Sequence, residues 1–242
     1  MTDPINESSG DEAVPTFKES FGAAMRKTGL GQVAPGEIPT ASSLLAAIGG
    51  VRGLIESILP GLGFLVVYSV TRSLLPSVLF PLALSVLFVV ARLISRSAPS
   101  QAFVGVLGIA ISAVFAIITG KPEDNFLPGI IINVTSVVVL LVSLVIRWPL
   151  IGIIVGFLTS EGTAWRDDRA KARVLIIATW LWVALFACRL VVEVPLYLAG
   201  ETEWLAAAKL ILGVPLYAGV VWVTWLLVRA VYARSQPGVA SE

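Results

Sequence analysis

Histidine is absent from the 242 residues, and cysteine occurs once, at Cys188. The first absence removes the usual general base near neutral pH, the commonest metal ligand and the haem ligand. The second excludes an intrachain disulfide and a Cys-x-x-Cys site. Charge is scarce too: Asp, Glu, Lys and Arg make up 14% of the chain, and the net charge is +1. Such a balance argues against nucleic acid as a partner, because binding it needs clustered basic surface. There is no P-loop, no Gly-x-Ser-x-Gly elbow and no Gly-x-Gly-x-x-Gly opening a helix after a strand. These gaps predict a protein that is not an enzyme, with no catalytic residues, no metal and no cofactor.

What the chain has instead is apolar side chain. Hydrophobic residues reach 57% and mean hydropathy is +0.90, well beyond the roughly 45–50% apolar content of soluble domains. A helix needs about 20 apolar residues to cross a bilayer. Six stretches approach that length, at 57–75, 78–94, 102–119, 128–146, 174–199 and 204–228. β-barrel strands would be about half as long and alternate in polarity. The predicted fold class is therefore all-α, a polytopic membrane bundle of about six transmembrane helices plus interfacial helices.

Three regions follow from the pattern: a polar cytoplasmic tail (1–40), a membrane domain (41–232) and a short cytoplasmic tail (233–242). Within the first, Thr16 to Glu19 fits a capping box, and Phe17, Phe21 and Met25 share a helical face. A surface-lying amphipathic helix over 16–28 and a disordered tail with a transient turn both fit. Residues 44–55 form an apolar stripe expected to lie at the surface before span 1. Residues 148–159 are apolar but too short to cross, and are expected to lie at, or dip into, the interface.

Basic residues set the direction, since cytoplasmic loops retain Lys and Arg. With the N-terminus inside, thirteen of the seventeen face the cytoplasm, Arg72 and Lys121 face outward, and Arg189 and Lys209 fall within spans. The expected location is the plasma (inner) membrane, multi-pass, with both termini cytoplasmic.

Ionisable groups inside spans are costly and face the bundle interior. Counted from a turn at Glu201, Glu193 and Lys209 lie eight residues to either side, hence at one depth, with Arg189 one turn from Glu193. The segment 189–197 is echoed by 209–217: a cation, a Leu, and Val-Pro-Leu-Tyr ending at Tyr197 and Tyr217. Each proline is expected to kink its helix and free a carbonyl. Arg189, Glu193, Lys209, Tyr197 and Tyr217 therefore form a candidate polar cluster, serving an ion, a solute or a lipid head group, or else a salt bridge that fixes packing. Glu56 and Arg52, at the start of span 1, are a second candidate pair, and Arg92 and Asn133 are ambiguous. Trp165, Trp204, Trp222 and Trp225 read as interface or packing aromatics. Asp167-Asp168 reads as a solvated loop, and Gly152-x-x-x-Gly156 as a weak helix-dimer face.

Gly-Leu-Ile-Glu-Ser-Ile-Leu-Pro at 53–60, Lys-Pro-Glu at 121–123, Arg-Trp-Pro-Leu-Ile-Gly at 147–152 and Pro-Leu-Tyr at 195 and 215 resemble the actinobacterial membrane family called domain of unknown function 3159. That resemblance covers about residues 40–232. It implies an actinobacterial plasma-membrane protein without an established activity. More remotely, the acid-x-x-x-Leu-Pro start with Tyr68, the Pro-Leu-Ile after span 4 and the Trp-then-Lys start of the last span are similar to the intracellular septation protein A family, which is linked to envelope and division complexes. The longer tail and the duplicated Val-Pro-Leu-Tyr depart from it. The expected role is non-enzymatic, organising the cell envelope or a membrane complex through contacts with lipid bilayer, other membrane proteins or a second copy. The alternative is a small-solute or ion transporter using the polar cluster, with a lipid-modifying enzyme third.

Overall fold

A computed structural model describes residues 50–94, 100–159 and 161–235. The helices are α1 (Gly50–Thr71), α2 (Leu74–Ile94), α3 (Ser100–Thr119), α4 (Leu127–Val145), α5 (Leu150–Leu158), α6 (Arg169–Leu198), α7 (Thr202–Ile211) and α8 (Val214–Ser235), with 3-10 turns at Pro122–Phe126 and Ala164–Arg166. Among the described residues there is no strand. The expected tail helix at 16–28, the other residues before 50 and those after 235 lie outside the described residues.

Five helices are long and apolar enough to cross a membrane: Gly50–Thr71, Leu74–Ile94, Pro122–Val145, Arg169–Leu198 and Thr202–Ala233, the last of which runs through α7 and α8. Gly105–Thr119 is a shorter apolar helix. With its first residues, α3 has 20, about 30 Å at 1.5 Å per residue. The nine residues of α5 reach only about 14 Å and do not cross. The outer surface is apolar, exposing residues such as Val70, Ile118, Val145 and Leu198. The protein is an all-helical, membrane-embedded bundle.

The stripe at 44–55 departs from expectation in its second half, because α1 already begins at Gly50 and residues 50–55 form its first turns. The Arg52 guanidinium donates to the Glu56 carboxylate one turn later at 2.8 Å, so the helix carries its charges as an internal pair.

Buried hydroxyls hold their own helices. Ser77 donates to the Ser73 carbonyl at 2.6 Å, Ser85 to Pro81 at 2.8 Å and Thr179 to Leu175 at 2.8 Å. Each is thus satisfied without water.

Packing divides the bundle into two groups. In the first, α2 packs on both α1 and α3; in the second, α6 packs on both α4 and α8. At one end the groups are joined by the 3-10 turn Pro122–Phe126 and by α7, which touches α1, α6, α8 and that turn. Arg72, just past α1, pairs there with Glu203 of α7 at 3.0 Å. At the opposite end, α5 packs on α6 and α8 around Ile151, Val155, Trp165, Leu175 and Tyr232.

Trp165 is only 2% exposed, so it is a core residue and not an interface aromatic. Its seat is the Gly152/Gly156 face of α5. A Cβ at Gly152 would lie 2.9 Å from the indole, and one at Gly156 would lie 2.0 Å from the Gly162 carbonyl oxygen. The Gly-x-x-x-Gly face is thus filled from within the chain and does not present a dimer surface. Trp204, by contrast, is exposed, and the rings of Trp222 and Trp225 on α8 pack against each other, tilted by 33°, with centroids 5.0 Å apart. Asp168 caps α6 by accepting from the backbone N–H of Ala170 at 2.8 Å and Lys171 at 3.3 Å, the ordinary work of an Asp at a helix start.

Gly156→Ala is expected to destabilise the protein by roughly 1–3 kcal/mol, because backbone blocks the new methyl. Thermal unfolding in detergent measures this. Gly108→Ala, where an added Cβ meets nothing within 4 Å, should not destabilise it.

Candidate functional site

The second helix group is organised around Glu193 of α6. Its carboxylate accepts from the Arg189 guanidinium at 2.9 Å and 3.1 Å and, on its other oxygen, from the Asn133 amide of α4 at 2.9 Å. All three residues are buried: Arg189 8%, Glu193 4% and Asn133 2% exposed. Arg189 also lies 5.4 Å from the centroid of the Tyr217 ring on α8, and that ring packs edge-on against Phe186. One carboxylate therefore ties α4 and α6 directly and reaches α8 through the arginine.

Lys209 takes a different course. Its height matches that of Glu193, seven residues after Thr202 and five before Leu198 respectively, so both lie roughly 8–10 Å below that end. Among the described residues, no carboxylate lies within ion-pair distance of its ammonium. It sits instead 5.1 Å from the centroid of the Phe126 ring, and Phe126 packs edge-on against Phe64 of α1.

Tyr197 belongs to neither arrangement. Its hydroxyl donates to Asp124 in the 3-10 turn, and Asp124 is buried. Of the five residues in the candidate cluster, the fold brings together Arg189, Glu193 and Tyr217, places Lys209 on the same cleft as Arg189 and Tyr217, and sends Tyr197 to fasten α6 to the 3-10 turn. Asn133 and Asp124 complete these networks. Asn133 lies sixty residues from Glu193 in sequence, and no local spacing connects the two.

The Arg52 and Glu56 pair is joined by Arg92 of α2, which donates to Glu56 at 2.7 Å. Arg92 is 8% exposed, so its head is held inside by α1 and does not simply reach for the surface. This trio fastens α1 to α2 at the basic end.

Between the two helix groups runs an open cleft of about 930 Å³. Gly53, Gly61 and Phe64 of α1, Gly108 and Ser112 of α3, and Val221 and Trp222 of α8 are among its walls. Arg189, Lys209 and Tyr217 also face it. Its size lies at the upper end of ordinary ligand pockets, about 300–1,000 Å³.

The sequence echo resolves into two different structures. Pro195 is carried inside the continuous α6, whereas the chain breaks at Leu212–Gly213 ahead of Pro215. The position of Glu193 in the first copy is Gly213 in the second. A Cβ at Gly213 would lie 2.4 Å from the Lys209 carbonyl oxygen, so the tight turn that separates α7 from α8 needs glycine.

Glu193→Ala is expected to cost roughly 3–5 kcal/mol by leaving the Arg189 charge uncompensated. The double variant Arg189→Met/Glu193→Leu should recover most of that loss in the same detergent unfolding assay. If the double variant unfolds as readily as Glu193→Ala, the pair does not act as a unit.

No curated protein and no solved structure matches the chain. A family described as protein of unknown function (DUF3159) matches residues 48–235. That match runs from the start of α1 to the end of α8 and so takes in both helix groups, the α7 strap and the cleft between them; the chain belongs to this family.

Proposed function

We propose that this protein is a non-enzymatic plasma-membrane component that organises the cell envelope or a membrane complex by holding lipid against its bundle. The observation that carries this reading is the cleft between the two helix groups, apolar along its length and open to the surroundings of the bundle. A hydrocarbon chain suits such walls. Glu193, the carboxylate bonded to the cleft-lining Arg189, is already held by Arg189 and Asn133, which leaves it poorly placed for proton transfer. Both termini face the cytoplasm in this reading, since Arg52, Arg92, Arg147, Arg166 and Arg229 gather at one end of the bundle and Arg72 and Lys121 lie at the other. The resemblance to the septation protein A family adds the setting of envelope and division complexes in an actinobacterial cell.

Transport by the same region is the second reading, favoured by the broken helix at Gly213 beside Lys209. Discontinuous membrane helices often frame solute sites.

Gly108 offers a clean test, because it lines the cleft and has open space around it. Gly108→Trp should fold normally and lose most of the lipid that co-purifies with the protein, measured by mass spectrometry of extracts. Unchanged lipid content would sink the lipid-holding reading, and ion or solute flux through vesicles carrying the protein would favour transport. Reporter fusions at Gly200 should read as external and at Gly162 as internal; an internal signal at Gly200 would reverse the orientation.

A further inference from the structure

We infer that the occupant of the cleft is an anionic lipid whose phosphate or carboxylate head sits between Lys209 and Arg189, with its chain along the walls formed by α1, α3 and α8. This inference rests on the lipid-holding reading and adds the chemical class of the lipid. The argument begins from charge. Arg189 and Lys209 both face the cleft, but only Arg189 has a carboxylate partner. The pocket therefore carries one cation more than it has anions, in a region surrounded by apolar side chains. A lysine so placed is stabilised by a counter-anion, and Phe126 offers only the face of its ring.

Depth agrees with charge. Lys209 lies about 10 Å below the start of α7, near the boundary where head groups meet acyl chains. From there the cleft continues along α1 from Phe64 to Gly53, eleven residues or about 16 Å, which suits a chain and exceeds what a free inorganic anion needs. The apolar stripe of this chain at residues 44–48, Leu-Leu-Ala-Ala-Ile, carries no carboxylate to meet the lysine.

Delipidated full-length protein would be titrated in detergent with phosphatidylglycerol and with phosphatidylcholine of identical chains, and binding read by native mass spectrometry. Phosphatidylglycerol should bind about tenfold more tightly. Lys209→Gln should abolish that preference while leaving the unfolding temperature unchanged, since no carboxylate loses a partner. Lys209→Arg should retain the preference. Equal binding of the two lipids by the wild-type protein would overturn the anionic assignment and leave the lipid-holding cleft standing. Binding of neither would overturn both. A preference that survives in Lys209→Gln, or displacement of phosphatidylglycerol by millimolar inorganic phosphate, would also overturn the inference. So would a photocrosslinker at position 108 that captures residues 1–49 or a second copy in place of lipid.

Discussion

A carboxylate inside a bundle with an apolar exterior has no water to turn to, and Glu193 meets that constraint by drawing on two helices. Arg189 from its own helix and Asn133 from α4 occupy its oxygens. The guanidinium also sits over the ring of Tyr217 on α8. Rotating or sliding any one of these helices would strand a charge or an amide, at a cost that exceeds most single apolar contacts. The register of the second helix group follows from this one group. The first group relies on smaller devices, chiefly the close approach allowed by Ala113 and Ala116 and the Arg92 to Glu56 bridge.

The ion pairs that set each group's register lie within it, Arg92 to Glu56 in the first and Arg189 to Glu193 in the second, and the two groups are joined at one end. There α7 packs against both, with Gly61 of α1 close against Leu210, and Tyr197 fastens α6 to the 3-10 turn through Asp124. Between the groups lies the cleft. Lys209 sits at the junction because α7 is a separate short helix. The break at Gly213 is therefore what turns a repeated sequence into two structures: with glutamate the helix continues and binds its neighbours, and with glycine a two-residue turn separates α7 from α8, which lines the cleft.

The cytoplasm-facing end in the proposed orientation shows the same economy. Nine residues of α5 cannot cross a bilayer, so they lie across the ends of α6 and α8 and receive Trp165 on a glycine face. The buried indole closes this end of the second group, while the outer surface of the bundle remains apolar for lipid.

Hydropathy and span length were enough to read the all-helical class, the number of apolar stretches and the shortness of 148–159, because the thickness of a bilayer imposes a ruler on any chain that enters it. The bias of basic residues likewise separates the two ends in the sequence itself. Heptad-like spacing also placed Arg189 beside Glu193, since four residues make one turn. What no local spacing contains is the partner on another helix. Asn133 for Glu193, Arg92 for Glu56, Asp124 for Tyr197 and Phe126 for Lys209 each depend on how helices distant in sequence are packed. Depth in the membrane could be counted along the chain, but the direction in which a side chain points around the bundle was decided only by tertiary packing.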